Sequence, residues 1–290
     1  MDWSSFSLGN AAGFIKGPGS QFNDMLRSAA TDITVGSITI EPRRGNLGNT
    51  YHLETDGTSV NALGLPNPGL EQTLEDAPGM AKAAANAGKR LRWSVAGFSP
   101  SETAKLTASL QPFGAIELNF GCPNVWGSNG QKPIVSFDLS LMRNTLEQVF
   151  VSARYIDASV KVSPHSDPDM IVSSVHLFKR FPLRAVVACN TFPNGIAIKG
   201  GRTALDTKNG YGGVAGNALH TIMLGQVAQW VEALEGSDID VYGVGGISSG
   251  ERLAATQKVG ASGAQIGTAF GEQGGKVFSE YLEDVLSDHE

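Results

Sequence analysis

The sequence predicts a closed (β/α)8 barrel, the TIM fold of the α/β class, with a loop or hairpin inserted after the second strand. Three observations carry that expectation. Eight short apolar runs recur along the 290 residues, separated by polar or glycine-rich turns and stretches of helical texture. Some runs are continuously apolar, as in Ala185-Val186-Val187-Ala188, which marks parallel strands covered on both faces. Eight alternations in a chain of this length favour closure over an open sheet. No internal repeat or low-complexity linker divides the chain, so residues 1–290 read as one domain.

In chain order the strands read as residues 6–10, 33–40, 91–96, 115–119, 160–163, 185–190, 241–244 and 263–266. Helical periodicity is clearest over 101–110, 138–155, 167–181, 217–234, 250–259 and 276–286. Ser101 with Glu102 behind it, and Asp167 before Pro168, supply helix starts. Residues 41–69 fit no simple strand–helix unit and are expected to lie over the catalytic face. Apolar residues make up 41% of the chain and charged residues only 17%, ample material for a core. The net charge of −6, with no basic block, argues against a nucleic-acid surface. No apolar run approaches about 18 residues, and the start MDWSSFSLGN lacks the pattern of a signal peptide. Two cysteines without metal spacing fit a reducing compartment and no metal. A cytoplasmic protein that avoids the membrane is the expectation.

In such barrels the active site lies at the carboxyl ends of the strands. The residues there are Ala11-Ala12-Gly13, Gly36-Ser37, Ala96-Gly97, Asn119-Phe120-Gly121-Cys122, Lys161, Asn190-Thr191, Gly245-Gly246 and Gly267-Thr268. Small residues with a few amides, one thiol and one amine suit a large flat ligand across the barrel mouth. Singly, Gly245-Gly246 and Gly267-Thr268 are readable as tight turns. Together, after strands seven and eight, they favour a phosphate site built from backbone N–H groups. Cys122 follows a strand on the active face, which favours a reactive thiol over a small buried hydrophobe. Cys189 lies inside the sixth run and reads as core. Lys161 interrupts an apolar run and must find a partner or lose its proton. It reads as a Schiff-base amine, as a cation beside an electron-rich cofactor, or as the structural partner of a carboxylate such as Glu117. His52 and His165 are placed at the pocket border; His176, His220 and His289 are placed on exposed surfaces or in the tail.

The run Ile116-Glu117-Leu118-Asn119-Phe120-Gly121-Cys122-Pro123-Asn124-Val125 resembles the catalytic-loop signature of the dihydroorotate dehydrogenases, in their soluble class 1 form. The resemblance continues through Val60-Asn61-Ala62-Leu63-Gly64-Leu65-Pro66-Asn67, Val160-Lys161-Val162-Ser163-Pro164 and Asn190-Thr191-Phe192-Pro193-Asn194-Gly195. It ends with Gly245-Gly246-Ile247 and Gln265-Ile266-Gly267-Thr268-Ala269, so it spans almost the whole chain in order. It implies an FMN-dependent barrel that oxidises dihydroorotate to orotate in pyrimidine biosynthesis. Lys132-Pro133 is similar to the single-subunit, fumarate-linked class, which implies a homodimer and a soluble acceptor such as fumarate.

Carried over residue by residue, the resemblance makes Cys122 the base that removes a proton from C5 while C6 delivers hydride to the flavin. Asn61, Asn119, Asn124, Asn190 and Thr191 would hold the substrate, with the backbone of Leu63, Gly64 and Leu65 facing its carboxylate. Lys161 would sit where negative charge appears on the reduced flavin. Ala11, Ala12, Gly13, Ser37, Asn119, Gly216, Gly245, Gly246, Gly267 and Thr268 would hold the cofactor. Independently, four amides suit a planar imide-like ring whose donors and acceptors alternate. Three positions depart from the family. Gly36 stands where a lysine normally follows the second strand, Asn49-Thr50-Tyr51 stands where an arginine is found, and Ala12 replaces a serine. The first two changes remove positive charge from the carboxylate end. Lys16 is the nearest cation in sequence, and a solvated loop position is the preferred reading for it. The alternatives are an FMN enzyme acting on another cyclic dihydropyrimidine or enone, a flavin-binding barrel without turnover, and a Schiff-base aldolase or lyase using Lys161.

Overall fold

Each apolar run becomes a strand: β1 (Ser7–Asn10), β2 (Asp32–Ile38), β3 (Arg90–Val95), β4 (Ala115–Asn119), β5 (Ala158–Val162), β6 (Ala185–Ala188), β7 (Asp240–Val244) and β8 (Gly263–Ile266). Neighbours are parallel throughout, and β1 pairs with both β2 and β8, which closes the barrel. The computed structural model describes residues 3–127, 130–153, 156–207 and 209–287; Tyr155 and His289 lie outside them.

The helices are α1 (Ser20–Arg27), α2 (Gly69–Asn86), α3 (Pro100–Leu110), α4 (Leu139–Ser152), α5 (Pro168–Phe178), α6 (His220–Ala233), α7 (Gly250–Lys258), α8 (Thr268–Gln273) and α9 (Lys276–Ser287). Periodicity foretells α3 to α7 and α9 but not α1, α2 or α8. In α2 the pair Pro78-Gly79 breaks the pattern, yet the helix runs through it. Its buried face of Leu70, Thr73, Ala77, Met80 and Ala84 outweighs the lost backbone bond. The cap of α3 is Ser99 rather than Ser101: its Oγ accepts from Glu102 N at 3.2 Å, and Pro100 takes the first helical position. Asp167 caps α5 as expected, accepting from Asp169 N at 3.0 Å.

Residues 41–69 do form a hairpin, Tyr51–Leu53 against Thr58–Asn61. It is half of a larger unit. Phe192–Ile196 and Tyr211–Gly216, from the connection between β6 and α6, complete a four-stranded antiparallel sheet above the barrel. Val60 pairs with Val214 across the join, and Val60, Ala62, Ala197 and Leu205 form a small core of their own.

The main core lies between strands and helices. The barrel interior is filled in two halves. Ala185, Val187, Tyr242 and Val244 make an apolar side. Opposite them, Arg92 donates to Asp32 at 3.0 Å and to Ser159 at 3.0 Å, and Gln265 bridges Glu117 and Lys161. Buried charges persist only when compensated in this way. Among the described residues no helix is long and apolar enough to cross a membrane.

Candidate active site

The carboxyl ends of the strands and the outer sheet enclose a cleft of about 1000 Å³, open solvent included. The turn after β1 contributes Ala11, Ala12 and Gly13, and the end of β2 contributes Ser37. The hairpin brings Asn61, with Leu63 and Leu65 just beyond it. From β4 and its loop come Asn119, Cys122 and Asn124, from β5 Lys161, and after β6 Asn190 and Thr191. Gly216, Gly245, Gly246, Gly267 and Thr268 complete the lining. Gly64 does not line the cleft; it is buried behind it, and its carbonyl accepts from Arg43 Nε at 3.1 Å.

The four asparagines form two linked pairs. Asn190 Nδ2 donates to Asn119 Oδ1 at 3.0 Å, and Asn119 Nδ2 donates to Ser37 Oγ at 2.8 Å, which lies 2.8 Å from Ser94 Oγ. Asn124 Nδ2 donates to Asn61 Oδ1 at 3.1 Å, and Asn61 Nδ2 reaches Gly213 O at 3.3 Å. One hydrogen of each NH2 is thereby fixed, which sets the plane of each amide and leaves the second N–H for a ligand. Thr191 N donates to Asn190 Oδ1 at 2.8 Å, while Thr191 Oγ1 is buried with no partner among the described residues. A buried hydroxyl in that state is a ready hydrogen-bonding group for a ligand.

Cys122 is half-buried, and burial pushes its thiol above the ordinary value. The backbone of Asn124 and the cations Lys16, Arg43 and Lys161 act in the opposite direction. Cys189 is core, as expected, and also touches the cleft; burial pushes its thiol up to about 12. Lys161 does not pair directly with Glu117. Its Nζ donates to Gln265 Oε1 at 3.3 Å, and Gln265 Nε2 donates to Glu117 Oε2 at 2.6 Å.

Lys16 overturns its solvated reading. Ile15 bridges Val35 and Gly36 N donates to Ile15 O at 2.9 Å, so this segment runs alongside β2. In an extended segment neighbours alternate sides. Ile15 is buried in the core, while Phe14 and Lys16 both face the cleft. Lys16 Nζ donates to Gly36 O at 3.0 Å, and burial lowers its pKa to about 8, with Cys122 opposing. A lysine at position 36 is excluded here: Gly36 has φ +119, and a Cβ would lie 2.3 Å from Ser94 O. The cation therefore arrives from the segment that follows β1. Arg43, which no motif singles out, packs its guanidinium 5.0 Å from the Phe98 ring centroid and adds positive field at Cys122.

The histidine placements need correcting. His52 pairs with Glu54 at 3.2 Å on the hairpin and is not in the cleft wall. His165 is buried between Phe137 and Trp230, and burial lowers its pKa to about 4. His220, expected on a surface, is buried against the Gly246 turn; His176 is exposed as expected.

The cleft fits a flavin mononucleotide. Gly13 leaves open space, with nothing within 4 Å of a Cβ built there, so the backbone floor is free for a flat ring system. The glycine turns after β7 and β8 lie together in its lining, where their backbone N–H groups suit a phosphate monoester. Arg252 Nη1 donates to Gly246 O at 2.8 Å and holds the first of these turns. A side chain at Gly246 disturbs the turn itself, since φ is +66 and a Cβ would lie 2.6 Å from Gly216 O. Gly267 is the cleaner probe. A Cβ there makes ordinary contacts with Ala11 at 3.6 Å and Phe14 at 3.8 Å. Gly267→Asp is expected to keep the fold, read by circular dichroism, and to lose most FMN through its negative charge. Full FMN occupancy in that variant contradicts the phosphate placement.

The family model described as dihydroorotate dehydrogenase matches residues 5–288. A dihydroorotate dehydrogenase A (fumarate) of Streptococcus uberis is 31% identical over 281 residues, covering 96% of this chain and 88% of the relative. A namesake from Streptococcus agalactiae is 29% identical over 287 residues, covering 97% and 90%. Among solved structures, a dihydroorotate dehydrogenase of Eimeria tenella in complex with ferulenol superposes with a TM-score of 0.83. It covers 97% of this chain and 80% of its own at 16% identity, a likeness of fold.

Proposed function

The chain belongs to the dihydroorotate dehydrogenase family, and on that premise we propose that it oxidises dihydroorotate to orotate with FMN bound in the cleft. One observation carries the reading furthest: Cys122, four amides and Thr191, from separate strand ends and the hairpin, converge on a single cleft with Lys16 beside them. Family membership displaces the Schiff-base reading of Lys161.

The substrate is a flat ring with alternating carbonyl and N–H groups and one carboxylate. The free N–H and C=O valences of Asn61, Asn119, Asn124 and Asn190 read the ring, and the buried Thr191 hydroxyl supplies a further bond. Lys16 pairs with the carboxylate, in place of the lysine that Gly36 excludes. Cys122 takes the C5 proton onto sulfur as the C6 hydride departs. It must be a thiolate to do so, and Lys16, Arg43 and Lys161 together favour that form against burial. Bound FMN supplies the two-electron acceptor for the hydride. Ala11, Ala12, Gly13, Ser37 and Asn119 would hold the ring system, Gly216, Gly245, Gly246, Gly267 and Thr268 would hold the ribityl phosphate, and Lys161 would supply a cation where negative charge appears on reduction. The same reading extends to a single domain over 1–290, a homodimer, a cytoplasmic setting and a soluble acceptor such as fumarate.

The test is stoichiometric. Dihydroorotate added anaerobically to the protein as purified is expected to bleach the flavin and yield one orotate per flavin reduced. Flavin that stays oxidised, or bleaching without orotate, refutes the assignment.

A further inference from the structure

A buried polar ladder runs up the barrel axis and ends at the cleft. At its base Asp32 accepts from Arg92 at 3.0 Å. Above them Glu117 is fully buried, Gln265 is 4% exposed and Lys161 is 5% exposed. Gln265 Nε2 donates to Glu117 Oε2 at 2.6 Å and Lys161 Nζ donates to Gln265 Oε1 at 3.3 Å. Acids and bases alternate along this line, so the buried charges compensate one another.

The orientation of the Gln265 amide follows from chemistry. A carboxylate only accepts, so the NH2 end of Gln265 must face Glu117, which turns its oxygen toward Lys161. The negative end of a fixed dipole is thereby aimed at the ammonium. Lys161 has three N–H donors, and Gln265 takes one, leaving the others for the cleft. A direct ion pair with Glu117 would draw the ammonium down into the barrel and neutralise its field at the cleft. An amide spacer holds it without neutralising it.

We infer that Glu117 and Gln265 are positioning residues that hold the charged Lys161 ammonium at the cleft wall and thereby raise the reduction potential of the flavin bound there. The inference rests on the proposed placement of Lys161 beside the flavin. Reduction puts negative charge on the ring, and a fixed cation nearby stabilises that form. Losing the cation, or letting it wander, favours the oxidised form. Gln265 is well suited to the test because replacing it by a neutral residue leaves the net charge unchanged.

The experiment measures the midpoint potential of the bound flavin in the holoprotein, by anaerobic equilibration with reference dyes. It compares wild type, Lys161→Met, Gln265→Met, Gln265→Asn and the Lys161→Met/Gln265→Met double variant. Gln265→Met removes the acceptor, and is expected to shift the oxidised-to-reduced ratio at fixed ambient potential by about tenfold toward oxidised. For a two-electron couple that is roughly 30 mV downward. Gln265→Asn keeps an amide for Glu117 but is one methylene short of Lys161. It is expected to shift the ratio the same way by a smaller factor, and it serves if the methionine variant fails to fold or retain flavin. In the Lys161→Met background the Gln265 change is expected to have no further effect. If Lys161→Met itself leaves the potential unchanged, the placement of Lys161 fails and the inference falls with it. If Lys161→Met lowers the potential but the Gln265 variants do not, the inference is overturned while that placement stands. A Gln265 shift of equal size in both backgrounds also overturns it, because the effect would then not pass through Lys161.

Discussion

Replacing Cys122 with alanine is expected to slow anaerobic flavin reduction by dihydroorotate about 10²–10⁴-fold, the usual contribution of a general base. FMN should remain bound, because the glycine turns proposed to hold it belong to other strands. The other thiol that lines the cleft is a poor substitute, because burial pushes the Cys189 pKa up to about 12 and so disfavours its thiolate at neutral pH. Cys122→Ser is expected to retain slow reduction that accelerates with pH, since a hydroxyl is the weaker acid. In the wild type the rate should also rise with pH. Burial raises the thiol pKa, so the active thiolate accumulates only as pH climbs through it. Stopped-flow reduction at several pH values reads all three proteins. An unchanged rate in Cys122→Ala assigns the base elsewhere.

The second large effect is expected at Lys16. Removing the charged partner of a carboxylate costs about 1.5–3 kcal/mol, roughly 10–150-fold in affinity. Lys16→Ala should weaken orotate binding by that factor, measured by the perturbation of the flavin spectrum on titration. The ammonium carries its charge only below its pKa of about 8. Wild-type affinity should therefore fall about tenfold between pH 7 and pH 9, as the cation is lost. The variant should show no such slope. Rate and affinity then move in opposite directions with pH, which gives kcat/KM a maximum. Affinity that survives Lys16→Ala intact means the amides alone hold the carboxylate.

The fold was largely legible because each barrel strand is a local apolar run bounded by small residues. The exceptions depend on distant partners. Phe192–Ile196 contains a proline and a glycine and looks like a loop. It becomes a strand because Tyr211–Gly216 lies beside it, bonded in turn to a hairpin more than a hundred residues away in sequence. Helix α2 shows the reverse case, a strong buried face obscured by Pro78.

The cleft was equally legible wherever a residue sits at the carboxyl end of its own strand or just beyond it, as Asn119, Cys122, Lys161 and Asn190 do. Lys16 was not, since its direction depends on the bond between Ile15 and Gly36. No local alternation signals it, because Phe14 and Ile15 are both apolar although Ile15 faces the core and Phe14 the cleft. Gln265 lies 148 residues from Glu117, and only barrel closure brings them together. The lysine missing at position 36 had a physical reason that no spacing reveals, a backbone with no room for a Cβ.

The measurement that tests the account most directly compares two substrates in the anaerobic reduction assay. Dihydroorotate and dihydrouracil share the ring and the C5 proton, and only the first carries the carboxylate. A site with Lys16 beside Cys122 is expected to reduce its flavin with dihydroorotate at much lower concentration, and Lys16→Ala should shrink that preference. Equal or better reduction by dihydrouracil in the wild type would contradict it, and would make this cleft the site of a different ring oxidation.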